Sequence, residues 1–254
     1  DLDGVVYRGS QTISGAVEAI NRAQHMGKKI GYITNNASRT QQSIADQLVG
    51  FGLEVKAEQI IGSAAAGVKL LAKKVPAGAA VLVVGGEGLI REVELAGFRR
   101  VEKAADNPQA VIQGFSPGVG WPDLAEAAYA IQSGAIWVAT NQDWTIPLEQ
   151  GIAPGNGTLV GAVHTAVGIL PEFAGKPFRP IFDAALEQLG ATRPLMIGDR
   201  LDTDIKGAHA AGIASASVMT GVIGNKELLG AKSDERPSYV LDNLADLFES
   251  YPEP

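Results

Sequence analysis

The chain has no cysteine. Disulfides, zinc–thiolate centres and cysteine nucleophiles are therefore excluded at the outset. Aromatic residues make up only 6% of the sequence, and 21 Lys and Arg face 28 Asp and Glu, for a net charge of -7. A surface so short of cations lacks the clustered Lys and Arg that displace counterions, which argues against nucleic acid and anionic membranes as partners. Arg99 and Arg100 alone are too few. No uninterrupted apolar run approaches the roughly 18 residues of a membrane span, and no basic and apolar leader precedes Asp1, so the cytoplasm is the expected location. What is plentiful is hydrophobic residue, 46% of 254, enough to build a sizeable core in one large or two smaller domains.

Apolar runs alternate with helical patterns along the chain. In SGAVEAINRAQHMG (14 to 27), Ser14 is placed to cap a helix, Ala16, Val17, Ile20 and Ala23 recur at helical spacing, and Gly27 is a stop signal. KKIGYIT (28 to 34) predicts a strand, and 40 to 52 predicts a capped helix with Ile44, Leu48 and Phe51 inward. Further strands are expected at 79 to 84, 110 to 114, 135 to 140, 194 to 198 and 214 to 219, with helices at 121 to 133 and 178 to 189. This order predicts an α/β fold built on a parallel sheet.

Such sheets present ligands at the carboxyl ends of their strands. Three strand-end loops are unusually polar: ITNNAS (33 to 38), AGKP (174 to 177) and IGDRLDTDI (197 to 205). With the opening DLDGVVYRG they supply the groups that phosphoryl transfer to a carboxylate requires. An aspartate can attack phosphorus and form an aspartyl-phosphate. The repulsion between the two anions calls for a divalent cation on oxygen ligands, usually Mg²⁺, which Asp1 and Asp199 can supply. Thr34, the backbone amides near Asn35 and the ammonium of Lys176 suit the phosphoryl charge. Asp3 is placed as the second carboxyl, which protonates the leaving alkoxide and later deprotonates water. Taken singly, each stretch has a plainer explanation: an Asp-Gly turn, a solvated lysine, or a helix start enriched in Asp to suit the dipole, which is the reading kept for Asp202.

In order and over nearly the whole chain, DLDGVVYRG, TNNAS, GKP and GDRLDTDI resemble the four motifs of the haloacid dehalogenase superfamily, and within it the NagD-like and p-nitrophenylphosphatase-like group. The resemblance implies a Rossmann-like core formed by 1–64 and 172–254, with an α/β cap inserted at 65–171. That insert is far longer than one βαβ crossover needs. The resemblance makes Asp1 the nucleophile and Asp3 an acid/base whose backbone carbonyl also reaches the metal. Thr34, Asn35 and Asn36 become phosphate holders, Lys176 the charge neutraliser, Asp199 a metal ligand and Asp204 a support behind the ligands. An apolar strand precedes the first aspartate in that family, so residues upstream of Asp1 are expected.

Within the cap, the loop NQDWTIPLEQ (141 to 150) follows a predicted strand and is the candidate for choosing the substrate. Asn141 and Asp143 suit the hydroxyls of a small phosphorylated metabolite, while Trp144 and Ile146 limit room for a large base. The nearest activities by resemblance are glycerol 3-phosphate and phosphoglycolate phosphatases, with sugar phosphates and nucleoside monophosphates as alternatives. A homodimer through the cap is left open. Receiver modules of phospho-signalling also combine an acidic pocket with Asp, Thr and Lys, but lack a counterpart to Asp3 and an insert of this size. VVGGEGLI (83 to 90) does not match G-x-G-x-x-G and is expected to be a tight turn between strand and helix. His25, His164 and His209 have no ligand partner at helical spacing, and Trp121 and Trp137 are expected in packing.

Overall fold

The computed structural model describes residues 1–148 and 150–249. The chain forms two compact units. One comprises Asp1–Ile33, Ala45–Ile60 and the chain from Phe182 onward; the other comprises Thr34–Ile44 and Ile61–Ile181.

The second unit is organised by a five-stranded sheet in the order Glu172–Phe173, Ile136–Ala139, Ala110–Gln113, Ala80–Val84, Arg99–Val101, with every neighbouring pair parallel. Its central strands read as continuous apolar runs because helices cover both faces. The period of two sorts their side chains cleanly. Leu82, Val84, Val111, Trp137 and Ala139 pack with Ala127 and Ile131 of helix Trp121–Gln132 and with Val160 and Val163 of helix Asn156–Val167. Val81, Ile112 and Val138 face the other way, onto Val68 and Leu71 of helix Ser63–Ala72 and Leu89 and Val93 of helix Glu87–Leu95. An antiparallel hairpin, Thr145–Leu148 with Gly151–Pro154, extends from the loop after Ala139.

In the first unit, Leu195–Gly198, Ala214–Val218 and Tyr239–Leu241 make a three-stranded parallel sheet, and Asp199 follows its first strand directly. The helix expected at 14 to 27 runs Ala16–His25 and ends at Gly27, whose φ of 76° is the left-handed value that stops a helix. Ser14 does not cap it. Gly15 holds the N-cap with φ 76° and no side-chain bond, so a glycine turn starts the helix where a hydroxyl was expected. The strand expected at 28 to 34 is confined to Tyr32–Thr34. Phe51 is half-buried and pairs with the Tyr7 ring at 5.5 Å rather than entering the core. Trp137 is buried, whereas Trp121 is exposed at the first position of its helix and takes no part in packing. Among the described residues no helix is long and apolar enough to cross a membrane.

Candidate active site

The first unit gathers three carboxylates. Asp1, Asp199 and Asp204 each place an oxygen within 4.8 Å of the others. Asp1 is anchored by its main-chain nitrogen, which donates to the Ile197 carbonyl at 2.8 Å and sets it beside the strand that ends at Asp199. The next residues wind tightly. The Leu2 carbonyl accepts from Val5, Val6 and Tyr7, and Leu2, Val5 and Val6 are buried, so the Asp1–Asp3 segment is clamped from below by core packing.

Asp199 is oriented from a loop that sequence reasoning passed over. The Val222 N–H donates to its Oδ2 at 3.0 Å and the Ile223 N–H to its backbone carbonyl at 3.2 Å. Thr220 completes the loop by donating its hydroxyl to the Gly4 carbonyl at 2.7 Å, while Arg8 reaches the Thr220 carbonyl. Glycines form the walls. A Cβ at Gly4 or Gly221 would lie far inside van der Waals contact distance of Asp199 Oδ2, and one at Gly198 inside that of the Asp204 carboxylate. The signal in the sequence was Gly221 itself, at the end of a predicted strand. Asp204 lies on a π-helical turn, Leu201–Ile205, fully buried, and accepts from the Arg200 N–H at 3.2 Å. Asp202 lies in the first turn of that segment, as expected of an aspartate at a helix start, but makes no cap hydrogen bond and pairs with Arg200 at 2.8 Å.

A glycine-walled set of three carboxylates, two of them buried, is the donor set of a hard divalent cation. Unneutralised, three carboxylates this close would repel strongly, so the residues fit Mg²⁺ held by Asp1 and Asp199 with Asp204 beside them. Asp3 is exposed at the mouth of its loop. Partial removal from water pushes its carboxyl above the ordinary range, against the opposing pull of the Gly4 N–H and the Arg8 cation. That direction suits a group that must carry a proton.

In the second unit, the other predicted loops are tied together. Thr34 is buried, and its hydroxyl accepts from the Asn36 N–H at 3.1 Å. Asn36 turns its amide oxygen to the N–H groups of Ser38 and Arg39. Asn35 clamps the Lys176 backbone at both ends: its Oδ1 accepts from the Lys176 N–H at 2.8 Å, and its Nδ2 donates to the Lys176 carbonyl at 3.0 Å. The same Nδ2 donates to Asp143 Oδ1 at 3.0 Å. Gly175 is tightly packed. Its N–H donates to the Thr140 carbonyl at 2.7 Å, and a Cβ there would lie 2.5 Å from both that carbonyl oxygen and Asn35 Oδ1. Asn141 is buried, and its amide donates to the Asn35 carbonyl at 2.8 Å. Trp144 is 66% exposed. The glycine run at 83 to 90 is the expected tight turn. Gly88 lets helix Glu87–Leu95 lie directly on the backbone at Arg39, where any Cβ would collide.

Residues 1–99 match the haloacid dehalogenase-like hydrolase family and residues 173–247 match the HAD-hydrolase-like family. The chain is 43% identical over 249 residues to a D-glycerol 3-phosphate phosphatase of Mycobacterium tuberculosis, covering 98% of this chain and 70% of that protein. It superposes on the crystal structure of a glycerol phosphate phosphatase of the same organism in complex with magnesium with a TM-score of 0.95 at 42% identity, covering 100% of this chain and 78% of that one. A p-nitrophenyl phosphatase from Archaeoglobus fulgidus matches with a TM-score of 0.89 at 31% identity, covering 97% and 95% of the two chains. With a parallel α/β core, an α/β cap and an acidic cradle after its strands, the chain belongs to the haloacid dehalogenase-like hydrolases, in their p-nitrophenylphosphatase-like group.

Proposed function

We propose that this chain is a Mg²⁺-dependent phosphomonoesterase that works through an aspartyl-phosphate on Asp1 and prefers a compact hydroxyl-bearing substrate, glycerol 3-phosphate first. The observation that supports the chemistry is the glycine-walled cluster of Asp1, Asp199 and Asp204. In the first step an Asp1 oxygen bonds to phosphorus as the ester P–O bond breaks, and Asp3 gives its proton to the departing alkoxide. In the second, Asp3 takes a proton from water, whose oxygen bonds to phosphorus and returns Asp1 as a carboxylate with release of inorganic phosphate. A bound Mg²⁺ supplies charge neutralisation between carboxylate and phosphate. Thr34 and Lys176 serve the phosphoryl oxygens as hydroxyl donor and cation. The catalytic core of this reading is 1–64 with 172–254, and the cap is 65–171.

Substrate choice falls to the cap, because the groups at the phosphate are common to every monoester. Asn141, singled out from sequence as a substrate contact, is buried with its amide bonded inside the unit, so that role passes to Asp143 and the exposed Trp144. The strong likeness to a D-glycerol 3-phosphate phosphatase supports the same preference. A panel of phosphorylated metabolites assayed for released phosphate tests it. Glycerol 3-phosphate is expected to exceed nucleoside monophosphates by about tenfold or more in kcat/KM, the order one pocket mismatch produces. Nucleotides as the best substrates would overturn the preference, and no turnover of any monoester would overturn the chemistry.

Asp3→Asn separates the two proton steps. p-Nitrophenolate leaves with little need of a proton, so this variant is expected to phosphorylate Asp1 from p-nitrophenyl phosphate and then stall, with the phosphoenzyme visible by intact mass. Full-speed turnover of alkyl phosphates would show that Asp3 is not the acid/base.

A further inference from the structure

The geometry points to Asn156 as a positioning residue that holds the Lys176 loop in place through Asn141 and Asn35. Only the consequence for turnover rests on the phosphatase reading; the clamp itself is a matter of geometry. Asn156 is 1% exposed and is the first residue of helix Asn156–Val167. Its Nδ2 donates to the Asn141 carbonyl at 2.7 Å. Asn141 Nδ2 donates in turn to the Asn35 carbonyl, and its Oδ1 accepts from the Asp143 N–H at 3.1 Å. Asn35 then grips Lys176 at both its N–H and its carbonyl. Three side-chain amides in series connect a helix to a loop lysine.

The segments they join, around 35, 141 and 176, are irregular backbone and have no ladder of their own to fix them. Asn156 sits on an element that does, because Val160 and Val163 of its helix are packed into the sheet layer. The flanking residues are shaped for the contact. Gly155 and Gly157 present no Cβ to the carbonyls of Asp143 and Gln142, with which any Cβ would collide, and their N–H groups donate to Trp144 and Asp143, both at 2.8 Å. The sequence Gly-Asn-Gly therefore lets the helix start press onto the 142–144 backbone and put one amide into the bend. A buried side chain in that place with no donor would leave the Asn141 carbonyl without its 2.7 Å partner.

Lys176 is the group through which displacement is read. A shift of a charged catalytic group by about 1 Å costs up to roughly 100-fold in rate. Two variants test the chain of amides: Asn156→Asp, which keeps the shape but sets an oxygen against the Asn141 carbonyl, and Asn156→Ala, the milder choice if the first folds poorly. Thr165→Ala is the control, since Thr165 is exposed on the same helix and its hydroxyl donates to the Gly161 carbonyl at 2.8 Å, away from the chain of amides. The Asn156 variants are expected to lower kcat on p-nitrophenyl phosphate about 10- to 100-fold at a temperature well below unfolding, with little change in KM. Hydrogen exchange at the amides of 174–178 should speed up in both, and Thr165→Ala should change neither readout. In a Lys176→Ala background the Asn156 effect should shrink to about twofold or less, because residues acting through one another are not additive. Unchanged exchange at 174–178 in both Asn156 variants, or effects that multiply with Lys176→Ala, would overturn the assignment. Were the wild-type chain to release no phosphate, the phosphatase reading would fall, while the exchange measurement would still decide the clamp.

Discussion

Asp1→Asn is expected to lower kcat on p-nitrophenyl phosphate by several orders of magnitude, the loss that follows removal of a covalent catalyst. The substitution is close to isosteric, and the contacts that place residue 1 survive it. The main-chain nitrogen still reaches the Ile197 carbonyl, and the side-chain oxygen that accepts the Leu2 N–H at 2.7 Å has a counterpart in the amide. The variant should therefore fold with a melting temperature no lower than wild type, since one of three mutually repelling charges is removed, which separates a lost nucleophile from a lost structure. What changes is charge and nucleophilicity: an amide oxygen does not attack phosphorus, and one of three clustered carboxylates becomes neutral. Turnover above about a tenth of wild type would rule out attack by Asp1, since removing an obligatory nucleophile leaves far less.

The four loops to which the proposed function assigns the chemistry were legible because three of them follow strands and all four carry residues that have little reason to be there otherwise. Asp1 with Asp3, Asn35 with Asn36, Lys176 after a glycine and Asp199 with Asp204 stand out against apolar runs in any order of reading. Less legible were elements whose cause lies in tertiary contact. The hairpin of Thr145–Leu148 and Gly151–Pro154 carries Pro147 and Pro154, which weaken a strand pattern; two strands with free edges tolerate them, as a central strand would not. The start of helix Ala16–His25 was misplaced because Ser14 satisfies the local rule, while the chain turns at Gly15, where an added Cβ would meet Ala245 at 2.9 Å. Asn156 gave no local signal either. Its partner Asn141 lies 15 positions away, and Asn141 reaches Asn35 across 106. Gly175 likewise has its reason in tertiary contact: lacking a Cβ, it packs closely against Thr140 and Asn35.

Gly221→Ala tests the metal cradle with a single methyl group. Gly221 has no positive φ, so alanine suits its backbone, and the whole effect must come from the added Cβ, which would collide with Asp199 Oδ2, Cβ and Cγ at once. Relief requires the Asp199 carboxylate to move, which also breaks its bond from the Val222 N–H at 3.0 Å. The outcome expected is a Mg²⁺ requirement raised by about 100-fold or more, beyond the usual cost of disturbing a group behind a metal ligand, because here the ligand itself is displaced. Asp199→Ala should behave alike. In the wild type, EDTA should abolish phosphate release and added Mg²⁺ restore it. Gly50→Ala provides the contrast: an added Cβ there meets nothing within 4 Å, so activity should hold, and at this last helical position stability should change by less than the roughly 0.5–1 kcal/mol that a glycine costs inside a helix. A Gly221→Ala protein that titrates with Mg²⁺ at the wild-type midpoint would show that Asp199 is not a metal ligand, and undiminished activity in EDTA would remove the metal from the mechanism altogether.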